Sequence, residues 1–177
     1  MRIIGGKLGG IRLNPPNKLP VRPTTDLAKE ALFNILQHQL DWEGLECLDL
    51  CCGTGNISFE LASRGVAAVD AIDLHMKCLL YIKDMCKKHA IETINVRKAD
   101  MFTYINSCKK AYDFIFVDPP YDIAQLPQIP QKIFDKGLLK EGGLLVVEHP
   151  STRKMVTQAS FVEIRKYGYS SFSFYQN

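Results

Sequence analysis

Asp118-Pro119-Pro120-Tyr121 is the segment whose residue types most directly suggest chemistry. It follows Phe114-Ile115-Phe116-Val117, an apolar run that reads as a strand buried on both faces. Neither proline has an N–H, each holds φ at about −65°, and each pushes its predecessor toward an extended backbone. The result is a stiff turn whose carbonyl oxygens stay free. A carboxylate and a carbonyl are both acceptors, so together they can grip the two hydrogens of an –NH2 group. That grip aims the nitrogen lone pair at an electrophile. Exocyclic amines of nucleobases are poor nucleophiles because the lone pair is delocalised into the ring, so positioning matters more than a strong base. Tyr121 offers a face for a splayed base, and such stacking is worth about 1–3 kcal/mol. Asp118, Pro119 and Tyr121 are the candidate catalytic residues, with Pro120 on the substrate side. Glu148 and His149, after a second apolar run, are candidate neighbours.

A second motif, Asp49-Leu50-Cys51-Cys52-Gly53-Thr54-Gly55-Asn56, closes an earlier strand and opens a helix. In doubly wound sheets, ligands bind at the carboxyl ends of strands. Gly53 and Gly55 allow a sharp turn and close backbone approach. Ser58 stands where a dinucleotide fingerprint needs its third glycine, which disfavours a pyrophosphate ligand. S-adenosylmethionine has no phosphate. It carries an ammonium and a sulfonium, for which Asp49 is a suitable partner. Asp73 ends the next strand, where a carboxylate can accept ribose hydroxyls, and Asp100 follows the third, where it can take an adenine amine. Asp70, three residues before Asp73, points to the opposite face. Any of these acids alone can be a helix cap. Acids after three successive strands, with the glycine turn after the first, favour a cofactor site formed by Asp49, Cys51, Gly53, Gly55, Asp73 and Asp100.

The elements that must position these residues are legible. Strand-like runs cover 45–50, 66–72, 94–97, 114–117, 144–147, 161–167 and 171–175. Helical stretches fall near 56–64, 75–89, 100–108 and 124–136, with Gly65 and Gly137 at C-cap positions. The alternation predicts an α/β fold, a doubly wound and mostly parallel seven-stranded sheet. The last two runs, joined through Gly168, predict an antiparallel hairpin. Thr25 or Asp26 caps a further helix over roughly 27–40, with Leu27, Ala31, Leu32, Ile35 and Leu36 as its buried stripe. Residues 1–26 read as a small basic extension, two short strands around a Gly-rich turn, ahead of a domain over 27–177.

At 177 residues, 46% hydrophobic and 23% charged, the chain has globular proportions. No apolar run reaches the roughly 20 residues of a membrane span, so a cytoplasmic protein is expected. Six cysteines lack C-x-x-C spacing and four histidines are scattered, so reduced thiols and no metal site are expected. Net charge is +3, but Arg2, Lys7, Arg12, Lys18, Arg22 and Lys29 face only Asp26 in residues 1–29, an arm suited to a phosphate backbone.

Taken together, the residues resemble the bacterial 16S ribosomal RNA guanine-N2 methyltransferases of the RsmD type, which have a Rossmann-like class I methyltransferase fold. The resemblance runs nearly end to end. It is carried by Met1-Arg2-Ile3-Ile4-Gly5-Gly6, Arg22-Pro23-Thr24-Thr25, Glu30 to Leu36, the Asp49–Asn56 loop, Ser63-Arg64-Gly65 and Asp118–Tyr121. The resemblance implies methyl transfer from S-adenosylmethionine to a guanine N2 in 16S ribosomal RNA, within the small subunit, by a monomer. It implies that Arg22, Thr24 and Asn34 shape the substrate side. Cys51-Cys52, Ser58, Asp73 and Leu27 depart from what such relatives usually carry. An adenine-N6 methyltransferase and a non-catalytic RNA-binding assembly module remain alternatives.

Overall fold

A computed structural model describes residues 1–16, 24–156 and 160–177. Seven strands form one sheet: β1 (Glu46–Leu50), β2 (Ala68–Asp73), β3 (Ile94–Lys98), β4 (Tyr112–Val117), β5 (Leu139–Pro150), β6 (Phe161–Tyr167) and β7 (Ser170–Gln176). Five α-helices flank it: α1 (Asp26–Leu36), α2 (Asn56–Ser63), α3 (Met76–Lys88), α4 (Met101–Ser107) and α5 (Ile129–Asp135). Pro127 and Pro130 break the last predicted helical stretch into a short 3-10 turn, Leu126–Gln128, followed by α5.

The strand order is β3-β2-β1-β4-β5-β7-β6. The first five strands are parallel, β7 runs antiparallel to β5, and among the described residues β6 pairs only with β7. The chain therefore leaves β1 in one direction and returns to β4 on its other side. This switch point is where ligands bind in open α/β sheets. Buried side chains fill both faces. Phe114, Phe116, Val146 and Phe174 lie on one, Ile115, Val117, Leu145 and Tyr175 on the other, as alternation along each strand requires. β5 is longer than its apolar run, because Leu139 reaches back to pair with Tyr112 across a register shift.

α1 begins where its cap predicts, Thr25 Oγ1 accepting the Ala28 N–H at 3.2 Å. Its buried face matches the predicted stripe at Leu32 and Leu36, with Ile35 partly buried against the core, but is rotated to take in Ala28, Lys29 and Phe33. Ala28, Lys29, Leu32, Phe33 and Leu36 are buried, whereas Leu27 is 76% exposed. Lys29, read from the sequence as part of a basic arm, lies in the interior.

The N-terminal segment makes one antiparallel bridge, Arg2 to Arg12, rather than two strands. It is built into the core: Ile3 and Leu13 are buried in the same cluster as Phe33, Phe59 and Phe114. Gly6 sits so close to α2 that an added Cβ would lie 1.9 Å from the Ser63 carbonyl oxygen. Among the described residues no helix is long and apolar enough to cross a membrane.

Candidate active site

The loops at the carboxyl ends of β1, β2, β3, β4 and β5 enclose one cavity of about 450 Å³. That is the size of a small-molecule or cofactor pocket. Its wall includes Asp49, Cys51, Gly53, Asp73, Asp100, Asp118, Pro119, Pro120, Tyr121 and Thr24, all predicted from the sequence. Backbone hydrogen bonds tie the strand ends together: Cys52 N–H donates to Ile72 O at 3.0 Å and Asp118 N–H to Leu50 O at 3.2 Å.

Asp49 is 1% exposed, and Ser58 Oγ donates to it at 2.5 Å. No cationic side chain pairs with it among the described residues. Burial pushes its carboxyl up to about 7, against the smaller opposing pull of the Ser58 hydrogen bonds. Ser58, where a dinucleotide site carries glycine, is thus the hydroxyl that orients this acid. Asp73 accepts the Gly53 N–H at 2.8 Å through Oδ2 and the His75 N–H at 2.7 Å through Oδ1. It therefore fixes the glycine loop against β2, and Oδ2 can accept one further donor. Asp100 is both a helix cap, accepting the Thr103 N–H at 2.9 Å, and part of the cavity wall. Asp70 turns away to Tyr112 and Lys110, at 2.8 and 3.1 Å.

Three expectations need correcting. Gly55 does not line the cavity. Its φ is +79°, and an added Cβ would lie 3.0 Å from Ile82 Cγ1 and from Phe59 Cε2. Its missing side chain makes room for the core. Gly55→Ala is expected to cost about 1–3 kcal/mol in chemical denaturation, because both neighbours are buried and an L-residue is strained at that φ. Asn34 is exposed on α1 and does not line the cavity, because Phe33 and Leu32 take the buried side of that turn. His149 is buried and faces away from the cavity. Its Nδ1 lies 3.0 Å from Pro150 O, which can only accept, so Nδ1 carries the proton and Nε2 accepts from Ser173 Oγ at 2.8 Å. Burial lowers its pKa, which favours this neutral form. Arg22 lies outside the described residues.

Glu148 was only a candidate neighbour in the sequence, and the structure makes it central. It is 2% exposed, lines the cavity, and accepts the Thr24 hydroxyl at 2.7 Å and the Tyr121 hydroxyl at 2.9 Å. Ser170 Oγ, at the start of β7, lies 2.9 Å from the same Tyr121 oxygen. The Tyr121 ring is therefore held from two sides. Arg153 pins the loop that follows, donating to Ala124 O at 3.1 Å. Neither Ser170 nor Arg153 gave a sequence signal, since each acts through contacts remote along the chain.

A second polar cluster ties the N-terminal segment to the cavity wall at Asn56 and Thr24. Lys29 Nζ donates to Arg2 O at 2.5 Å and to Asn56 Oδ1 at 2.7 Å, and lies 3.7 Å from Glu60. Glu60 accepts the N–H groups of Ile4 and Gly5, at 2.7 and 2.9 Å, and the Arg64 guanidinium at 3.0 Å. Asn56 Nδ2 in turn donates to Thr24 O at 2.9 Å. One chain of contacts thus runs from the N-terminal segment to Thr24 on the cavity wall.

The model of a family described as "Conserved hypothetical protein 95" matches residues 1–176. This chain belongs to that family, the RsmD-type methyltransferases. The RsmD-type chain is 32% identical over 157 residues to the putative rRNA methyltransferase YlbH of Bacillus subtilis, covering 84% of this chain and 82% of that relative. It is 30% identical over 149 residues to ribosomal RNA small subunit methyltransferase D of Escherichia coli, covering 84% and 74%. In structure it resembles a putative methyltransferase from Escherichia coli with a TM-score of 0.86, at 24% identity, over 99% of this chain and 97% of the other. The sheet and its flanking helices are those of a Rossmann-like class I methyltransferase fold.

Proposed function

We propose that this protein transfers a methyl group from S-adenosylmethionine to the exocyclic N2 amine of a guanine in 16S ribosomal RNA of the small subunit. The observation that carries this is the meeting, in one cavity, of the Asp49, Asp73 and Asp100 carboxylates with the Asp118–Tyr121 loop. Asp49 is a buried acid without a cationic partner among the described residues, which fits a ligand bearing an ammonium group. Asp73 would take the ribose hydroxyls and Asp100 the adenine amine, with Cys51 and Gly53 lining the same wall. When bound, S-adenosylmethionine supplies a methyl group on a positively charged sulfur, an electrophile that needs no activation by the protein. The chain's own work is then orientation. Asp118 and the Pro119 carbonyl hold the two amine hydrogens, and Tyr121, fixed by Glu148 and Ser170, presents its ring to the base.

The ribosomal substrate is supported by the curated relatives, whose names specify the small-subunit RNA. Exposed Arg2, Lys7 and Arg12 suit contact with its phosphates in a cytoplasmic particle, met by a monomeric enzyme. Purified protein with labelled cofactor is expected to label 16S RNA, naked or in particles, from cells lacking the gene, and digestion is expected to yield N2-methylguanosine. Unlabelled RNA in both forms would overturn the reading, and N6-methyladenosine would replace guanine by adenine.

A further inference from the structure

We propose that Glu148 reads the ring N–H beside the target amine and so selects guanine over other amine-bearing bases. This rests on the reading that a nucleobase amine docks at Asp118–Tyr121. The register of the sheet places the two acids together: Val117, the last residue of β4, pairs with Val147, so the residues that follow the pair are Asp118 and Glu148. Neighbouring strands lie roughly 4.8 Å apart, and residues in register share a face. Both acids line the cavity.

Glu148 is almost fully buried, and no cationic side chain pairs with it among the described residues. Its two neighbours are hydroxyls, Thr24 donating to Oε2 and Tyr121 to Oε1. Each oxygen has one hydroxyl neighbour and retains capacity for another donor. A buried carboxylate served by two neutral donors is short of positive partners, and the side still open to it is the cavity.

The chemistry of the bases converts this into selectivity. Guanine presents its N2 amine directly beside N1–H, so two donors sit side by side. Adenine and cytosine present their amines beside a bare ring nitrogen, which is an acceptor. If Asp118 holds the amine, a second carboxylate beside it gains a hydrogen bond from guanine N1–H and meets a lone pair on the other two. Sites built to bond a substrate N–H reject analogues lacking it strongly, because the buried acceptor is left unpaired. The amine grip alone carries no such preference.

The test uses 2-aminopurine, which keeps the 2-amine but has a bare N1. After the wild-type enzyme has located its target, RNA carrying either guanine or 2-aminopurine there is assembled into the accepted substrate. The wild type is expected to prefer guanine by about 100-fold or more in kcat/KM. In Glu148→Gln, whose amide can also donate to a bare N1, that preference is expected to shrink at least about tenfold. Calorimetry with S-adenosylhomocysteine reports whether the variant keeps its cofactor site. Tyr121→Phe serves as a comparison, since it breaks the hydroxyl contact but leaves the carboxylate. It is expected to slow both substrates and keep the preference. Equal wild-type rates on the two RNAs would overturn the proposal without any variant. So would a Glu148→Gln enzyme that is slower but equally selective, since Glu148 would then only position Tyr121. Methylation of an adenine instead would show that the guanine reading itself had failed.

Discussion

Asp49→Asn is expected to weaken cofactor binding by at least about 100-fold while making the unliganded protein more stable at neutral pH. The two effects have one origin. Burial raises this carboxyl from 3.8 to about 7, so the folded protein holds a proton that the unfolded chain has already released. Stability from this group is fully present below about pH 4 and falls as pH rises toward and through 7. Over that window the unfolded state binds fewer protons, so the slope is negative, and the loss integrates to at most roughly 4 kcal/mol. Asn carries no charge and can still accept from Ser58. Urea denaturation of both proteins from pH 4 to 8 should give curves that lie close at the acid end and diverge upward in favour of the variant. For the wild type, affinity for a ligand with an ammonium group should rise between pH 5.5 and 7 by up to about tenfold per pH unit, with proton release visible in calorimetry. A variant no more stable than wild type at pH 8 would show that Asp49 is not the unpaired buried charge described here.

The second large effect is expected at Lys29. Lys29→Ala should lower stability by about 3–5 kcal/mol, the cost of breaking a buried ion pair from one side, or roughly 10 °C in a thermal melt. The loss has several parts. Arg2 O and Asn56 Oδ1 each lose their donor, and Glu60 keeps only Arg64 as a cationic partner among the described residues. Burial lowers the Lys29 pKa more than the neighbouring Glu60 raises it, so the ammonium is held at a real solvation cost. Lys7→Ala and Arg12→Ala, on exposed parts of the same segment, should shift stability by less than about 0.5 kcal/mol. Equal, small effects at all three positions would return Lys29 to the status of a solvated basic residue. Because Asn56 also holds Thr24, the Lys29 variant should lose activity beyond its loss of folded protein, measured where both enzymes remain native.

These two residues show what a sequence discloses. Asp49 was identifiable because its neighbours are local: a strand before it, a glycine turn after it and a helix beyond. The same locality exposed Asp73, Asp100 and Asp118, each at or just after the end of a strand-like run. The central strands β4 and β5 were legible because burial on both faces leaves the runs 114–117 and 144–147 apolar throughout. Lys29 was not, since its partners are a carbonyl 27 residues away and the α2 side chains Asn56 and Glu60. Charge counting therefore placed it in a basic arm. The α1 stripe was right at Leu32, Ile35 and Leu36 but wrong at its start for the same reason, as a buried lysine looks polar while Leu27, which is exposed, looks like core. Asn34 and Gly55 show a different limit. Their motifs were rightly noticed, but a motif does not say whether a residue faces a ligand or the interior.

The place of β7 between β5 and β6 has a consequence for how the protein comes into being. Chains emerge from synthesis in sequence order, and folding can begin before the whole chain is present. The parallel strands and every acid discussed above precede residue 150, so the sheet through β5 can assemble early. Its edge then stays open until β6 has passed and β7 pairs beside β5. Ser170, the second clamp on Tyr121, arrives with that last strand. A nascent chain that has reached β5 would hold the carboxylate-lined cavity with the Ser170 contact to Tyr121 still missing, so capacity to bind the proposed cofactor should precede capacity to use it.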